Sequence, residues 1–315
     1  MERPSRRQQS RIAFELTEDH FRLKDVLMVI DLPASTYHYY MGQKANDPKD
    51  HPLEQLIQKI FNDSNETYGY RRITLALRNM GYCVNHKRVQ RLMQKLGIKC
   101  MKFFRKSRRY NSYKGKVGKV ASNRVNRRFM TSVPLQKLVT DVTEFKCLKD
   151  EKLYLSPIMD LYNSEIIAFK IAKRPTLDIA LEPLTEAISR IERHAPYRTT
   201  IHSDQGWHYQ HHAWINCLKE HGIYQSMSRK GNCLDNSPME NFFGLLKQEM
   251  YDGQEKVSFN DLKRRIENYI HFYNNDRIKA KLSGLSPVNY RKQATQSHAQ
   301  SSLFKTSTFG GHISS

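Results

Sequence analysis

Apolar residues recur in two textures along this chain: at helical intervals up to Lys99, and in short alternating runs from Val133 onward. Phe21 to Ile30 predicts one short helical segment. Pro33 breaks any helix running into it, and Ser35 is placed to cap another leaving it. Leu53, Leu56, Ile57 and Ile60 make a first apolar stripe. Ile73, Leu75, Ala76 and Leu77 make a second, stopped by Gly81, and Val89, Leu92, Met93 and Leu96 a third, stopped by Gly97. Tyr68-Gly69-Tyr70-Arg71-Arg72 is a turn of aromatics and cations between the first two. Three short helices with cations outside predict a small all-α, helix-turn-helix-like module over 51–99, behind an N-terminal helical segment over 1–50. A plain helical packing domain is the alternative.

The second texture is strand-like. Val139–Phe145, Leu153–Met159 and Ile166–Ala172 predict three strands joined by turns near Lys149-Asp150-Glu151 and Asn163-Ser164. A helix over Asp178–Ile191, a strand over Arg198–His202, a helix over Trp214–Glu220 and a strand over Ile223–Ser226 follow. Helices over Met239–Met250 and Phe259–Tyr273 close the series. A meander followed by alternating helix and strand predicts an α/β body, a mixed sheet covered by helices, over 133–292. The tail 293–315, rich in Ser, Thr, Gln and His, is predicted to be disordered.

Charge adds a partner. The formal net charge is +21, and from Thr67 to Thr140 there is no Asp or Glu at all against about 20 Lys and Arg. Such a stretch favours nucleic acid, because each neutralised phosphate releases counterions. Residues 100–132, with Lys102, Arg105, Lys106, Arg108, Arg109, Tyr110, Tyr113 and Lys114, read as an extended basic linker able to lie along phosphates. The cationic candidates for DNA contact are Arg71 and Arg72 in the turn, Lys87, Arg88 and Arg91 in the third stripe, and Arg229 and Lys230 further on. No run approaches the roughly 18 apolar residues of a membrane span, and Met1 to Ser10 is polar and basic with no apolar stretch behind it. Five scattered cysteines without a CxxC pair argue against a zinc site or a disulfide framework.

Three acids stand out by position. Asp141 lies inside the first strand, where a buried lone carboxylate is costly unless paired or bound to metal. Asp204 follows the fourth strand directly and precedes a Gly turn, where an open sheet exposes a crevice. Glu240 starts a helix whose first turn Pro238 suits and which Asn236 or Ser237 can cap. Three carboxylates from separate elements are what a hard divalent cation such as Mg²⁺ needs, two ions serving an in-line displacement at phosphorus. Asp160 ends a strand beside the first Asp and reads as a cleft residue that is not a ligand; Asp235 and Asn236 read as shaping the helix start. His202 and His208 flank Asp204, where packing or DNA contact explains them better than metal binding.

With 35 residues between Asp204 and Glu240 and an earlier strand Asp, the pattern resembles the DDE signature of retroviral integrases and related transposases. The runs Leu153–Tyr162, His202–Trp207 and Gln225–Asn236, with Tyr273–Arg277 and Leu285-Ser286-Pro287, are more specific. They resemble the second-frame (OrfB-type) product of the IS-three family of insertion sequences, and Tyr68–Ile73 through Asn85–Met93 is similar to its N-terminal helical module. The resemblance spans about residues 22–292. It implies a ribonuclease-H-like fold, two Mg²⁺ (or Mn²⁺) ions, and metal-dependent cleavage and strand transfer of DNA in transposition. Asp141, Asp204 and Glu240 map onto the metal-binding positions. Lys247, seven residues after Glu240 and so on the same helix face, maps onto the family's basic position and could hold a phosphate. The implied partners are double-stranded DNA (terminal inverted repeats and target), an upstream-frame transposase product and further copies of the chain on DNA. The implied location is the bacterial cytoplasm, on the nucleoid when DNA is bound.

The chain departs from the family at three points: Leu138 stands where a Trp is frequent, Lys279 where a His is common, and the zinc-binding HHCC module of retroviral integrases is absent. A repressor-like DNA-binding protein would explain the charge but not the three acids. A nuclease of the same fold would share the metals but have less need of the helical module and basic linker.

Overall fold

The computed structural model describes residues 4–42, 50–100 and 120–296. The chain divides into two units, Met1–Lys59 and Ile60 onward. The first begins with α1 (Arg6–Glu18), a helix that no apolar stripe announces. Ser5 caps it, its hydroxyl accepting from the Gln8 N–H while the Gln8 side chain accepts from the Ser5 N–H. α2 (Leu23–Val29) and α3 (Ala34–Gly42) follow, and Ala13, Val26, Leu27, Leu32 and Tyr37 form their shared core. α3 starts directly after Pro33, so Ser35 sits inside the helix instead of capping it. α4 (His51–Asp63) runs across the division between the units.

In the second unit α5 (Tyr70–Asn79) and α6 (His86–Lys95) pair, burying Ile73, Ala76 and Leu77 on one and Val89, Leu92 and Met93 on the other. Asn85 caps α6 by accepting from the Lys87 N–H at 2.9 Å. This is the expected helix-turn-helix-like pair.

The sheet is built from β1 (Lys137–Thr140), β2 (Thr143–Lys146), β3 (Lys152–Asp160), β4 (Ile166–Ala172), β5 (Thr200–Ser203) and β6 (Tyr224–Met227). β1 and β2 keep one continuous antiparallel register on β3, with Leu138 opposite Asp160 and Thr143 opposite Leu155. They are a single strand interrupted at Asp141 and Val142. That register sets Asp141 opposite Pro157, which has no N–H to give to the ladder, so pairing lapses there. β4 pairs the far side of β3 antiparallel, while β5 runs parallel to β1 and β6 parallel to β5. The order β4–β3–β1/β2–β5–β6 is the mixed, ribonuclease-H-like sheet that the resemblance implies.

Helices cover both faces. α7 (Asp178–His194), the short α8 (Trp207–Gln210) and α9 (His212–Glu220) come before β6; α10 (Ser237–Leu246) and α11 (Phe259–Asn275) after it. Leu138, Ile158, Ala168 and Ile201 pack on Leu184, Ile188, Trp214 and Leu218 from α7 and α9. On the other face Val139, Phe145 and Leu155 meet Met239, Phe242 and Leu246 of α10 and Ile266, Tyr269 and Tyr273 of α11.

Part of the expected linker proves to be a strap. The Arg124 and Val125 N–H groups donate to Ser226 Oγ (2.9 and 3.3 Å) and the Ala121 N–H to Met227 Sδ (3.3 Å), covering β6, which ends the sheet. The earlier basic residues, Lys102 to Lys114, lie outside the described residues. So does the tail from residue 297, whereas 293–296 finish a last helix begun at 287. Among the described residues, no helix is long and apolar enough to cross a membrane.

Candidate active site

β1 and β5 run side by side in parallel, with Val139 opposite His202. Two residues further on, the same register sets Asp141 beside Asp204, at the carboxyl ends of adjacent strands roughly 4.8 Å apart. That edge is where an open sheet presents its crevice. The lapse opposite Pro157 releases Asp141 from the ladder, and its Oδ1 accepts from the Val142 N–H at 2.7 Å. Asp204 folds back on its own turn, Oδ1 accepting from the Gly206 N–H at 2.8 Å.

The two carboxyls disturb one another. Asp141 is held well above the usual carboxylate range, first by desolvation, then by Asp204; Glu240 adds to the rise, while the Val142 N–H and Lys247 oppose it. Burial also pushes Asp204 up, against the pull of the Gly206 N–H and of His208. Tyr209, 1% exposed, has its phenol raised well above its ordinary value by burial and by Asp141 and Asp204. Its hydroxyl lies 3.4 Å from Thr140 Oγ1. Nothing in its local sequence marked Tyr209 as the neighbour of both acids.

α10 brings the other two expected residues. Asn236, just before the helix, donates to the Thr140 carbonyl at 3.2 Å and ties the helix start to the end of β1. Met239, Phe242 and Phe243 turn inward, which leaves Glu240 exposed, its carboxyl raised by partial burial. After Leu246 the helix widens into a π-turn over Lys247–Tyr251, a feature that recurs at functional sites. From it the Lys247 ammonium donates to Thr143 Oγ1 at 2.8 Å and lies over the Phe145 ring. Asp141 thus feels Asp204, Glu240 and Lys247 together, although among the described residues no three acidic, His or Cys side chains stand as a ready-made metal cage.

Residues 48–107 match the model of an HTH-like domain, and residues 132–233 and 240–294 match two models of an integrase core domain. The putative transposase InsK for insertion sequence element IS150 of Escherichia coli (strain K12) is 42% identical over 87% of this chain and 94% of its own length. An uncharacterized transposase-like protein of Haemophilus influenzae is 51% identical over 67% of this chain and 94% of its own. The transposase InsF for insertion sequence IS3A of Escherichia coli (strain K12) is 28% identical over 90% of this chain and 98% of its own. The chain belongs to the IS-three family of insertion-sequence transposases.

In this transposase several residues near the acids have work inside the fold. Arg229 clasps Asp235 with two hydrogen bonds of 2.9 Å, and Arg127 from the strap adds a third at 2.8 Å. The Arg229 guanidinium, expected to meet substrate phosphates, is therefore occupied by Asp235, while Lys230 beside it is exposed. Arg127 and Arg229 hold the Asp235 carboxyl well below the usual range, Arg229 contributing most. His202 is buried between Ser226 Oγ (2.8 Å) and Ser228 Oγ (3.1 Å), and His208 bonds the Pro175 carbonyl at 2.9 Å, so both pack as expected. Asp160 is a correction. It lies opposite Leu138, at the other end of β1 from Asp141, and accepts from the Leu135 and Tyr162 N–H groups, so it shapes a turn and lines no cleft.

On the helical module Arg71, Lys87 and Arg91 are exposed and Arg88 is half-buried. Arg72 departs from this pattern: it is turned inward, its Nη1 3.7 Å from Glu249 Oε1 and its guanidinium over the Tyr68 ring.

Proposed function

We propose that this transposase cuts the terminal inverted repeats of an insertion sequence and joins them to target DNA, using two Mg²⁺ (or Mn²⁺) ions held by Asp141, Asp204 and Glu240. The reading rests most heavily on one observation: Asp141 and Asp204 adjoin at the carboxyl edge of the sheet, and both are pushed up in pKa. The donor set fits the ions, since carboxylate oxygens suit hard divalent cations and a cation would relieve the repulsion. When bound, such ions activate the attacking oxygen and stabilise the leaving one in an in-line displacement.

The chain's own residues do the rest. Asp141 and Asp204 orient the scissile phosphate's surroundings from fixed strand ends, and the backbone N–H groups of Val142 and Gly206 hold their carboxylates in place. Lys247 holds a phosphate oxygen beside them by a charge-assisted hydrogen bond. Glu240, exposed on α10, completes the set by moving toward the pair when substrate and cations arrive. In this division of labour 51–99 grips DNA with Arg71, Lys87, Arg88 and Arg91, Lys230 meets it near α10, and 133–292 carries the chemistry. An upstream-frame product and further copies of the chain assemble on the same DNA.

Asp204→Asn tests the assignment. It should abolish strand cleavage with Mg²⁺, a loss of about a thousandfold or more, while DNA affinity stays near that of the unsubstituted chain. Cleavage at the original rate would remove Asp204 from the site.

A further inference from the structure

Glu249 is a buried carboxylate with no part in the site above. It sits on the π-turn two residues after Lys247, where Arg277, Tyr269 and Arg72 converge on it. Arg277, itself 1% exposed, donates from Nε at 2.8 and 3.1 Å and from Nη2 at 2.5 Å; Tyr269 donates its hydroxyl at 2.9 Å. Arg72 of α5 completes the group, its Nη1 3.7 Å from Oε1.

Arg72 arrives with a docked helix. Just ahead of α5, the Tyr68 hydroxyl accepts from the Ile278 N–H at 2.8 Å and donates to the Asp276 carbonyl at 3.3 Å. At the far end of α5, Asn79 donates to the Gly284 carbonyl at 2.7 Å. Gly284 has φ +84 and lies against Leu75, so closely that a Cβ there would come within 3.2 Å of the leucine side chain. The 68–79 stretch of the helical module is thus seated on 276–284, the segment whose Arg277 grips Glu249. A π-turn carries one residue more than an α-turn, so whatever fixes it also fixes the phase of the helix it ends. Here that helix carries Glu240, and the turn carries Lys247.

We propose that Glu249 is a positioning residue through which the helical module, by way of Arg72 and Tyr68, sets where Lys247 and Glu240 stand relative to Asp141 and Asp204. DNA drawn onto the module would then bear on the chemistry through this contact. The effect on rate rests on the metal-dependent cleavage proposed above; the effect on the helix does not.

The test uses the full chain with Arg72→Met, which keeps the stem on Tyr68 and removes the charge, and Arg72→Lys, which keeps a cation. Amide hydrogen exchange over 247–252 should quicken about tenfold in Arg72→Met and return most of the way in Arg72→Lys. The salt dependence of DNA binding should be unchanged, since Arg72 faces Glu249 and not phosphate. Mg²⁺-dependent cleavage should fall about tenfold, with more Mg²⁺ needed for half-maximal rate, a shift that a smaller folded fraction would not produce. Unchanged exchange over 247–252, faster exchange confined to α5, or a reduced salt slope would each overturn the proposal. Should Arg72→Met fail to fold, Tyr68→Phe, which removes only the two hydroxyl bonds, is held to the same outcomes. If the unsubstituted chain shows no Mg²⁺-dependent cleavage, the functional reading fails, and the exchange measurement still decides the contact.

Discussion

Gly206 is required by its neighbour and not by its own backbone, whose φ of −59° any residue adopts. A Cβ there would stand 2.9 Å from Asp204 Oδ1 and 3.4 Å from the Tyr209 ring. Gly206→Ala should therefore displace the carboxylate and slow cleavage by about 10- to 100-fold. Stability should stay within about 1 kcal/mol, because alanine at an ordinary φ also lowers the entropy of the unfolded chain. Cleavage and thermal unfolding measured side by side check this; an unslowed variant would mean that the turn does not fix Asp204. Asp160 gives a residue-scale test of another kind. Burial pushes its carboxyl up to about 6, against the Tyr162 and Leu135 N–H groups that favour the charged form. Between about pH 4 and pH 6 the folded chain keeps a proton that the unfolded chain has released, so this group's stabilising contribution falls as pH rises, by up to about 3 kcal/mol. In urea unfolding, the stability difference between the unsubstituted chain and Asp160→Asn should shift in the variant's favour from about pH 4.5 to about pH 7. A difference independent of pH would show that Asp160 takes up no proton there.

At the scale of elements, what the sequence made legible was local. Ile166–Ala172 stands as β4 because its strand-forming run is bounded by a turn, Asn163-Ser164, where Ser164 takes φ +61. α1 had its signal too, in Ser5 and Gln8 at capping-box spacing, but no apolar stripe accompanied it. The interruption at Asp141 could not be read locally, since Val139–Phe145 predicts one strand in spite of its Asp and Glu. Its cause is Pro157, on another strand and set opposite only by the register. The strap was hidden for the same reason: residues 120–132 look like a basic linker until β6 presents Ser226 to their N–H groups. Arg71 and Arg72 show a third limit. Consecutive helical residues point about 100° apart, so two cations side by side cannot serve one surface equally. Arg71 faces outward and Arg72 faces Glu249. The candidate site followed the same rule: Asp204 is legible at a strand end and Glu240 at a helix start, whereas the strand end at Asp141, the place of Tyr209 and the exposure of Glu240 depend on how distant elements pack.

For the whole molecule, a charge of +21 is enough to hold the chain on DNA from many sides, so affinity alone says little about which surface binds. The salt dependence is more discriminating, because removing one cation from a phosphate lowers its slope by about 0.9. α6 offers the cleanest case. Val89, Leu92 and Met93 turn inward, and Lys87 and Arg91, four residues apart, share the exposed face. Replacing both by alanine should lower the slope by about 2 and weaken binding to all sequences alike if both touch phosphate, with stability changed by no more than about 1 kcal/mol. Binding isotherms across a series of salt concentrations would measure it, with Asp204→Asn as the control whose slope should not move. At saturating DNA the double variant should still cleave, since its substitutions lie on the helical module while Asp141 and Asp204 lie at the sheet edge and Glu240 on α10. A slope unchanged by removal of both cations would move the DNA surface off α6, leaving the grip to the exposed cations elsewhere on the chain.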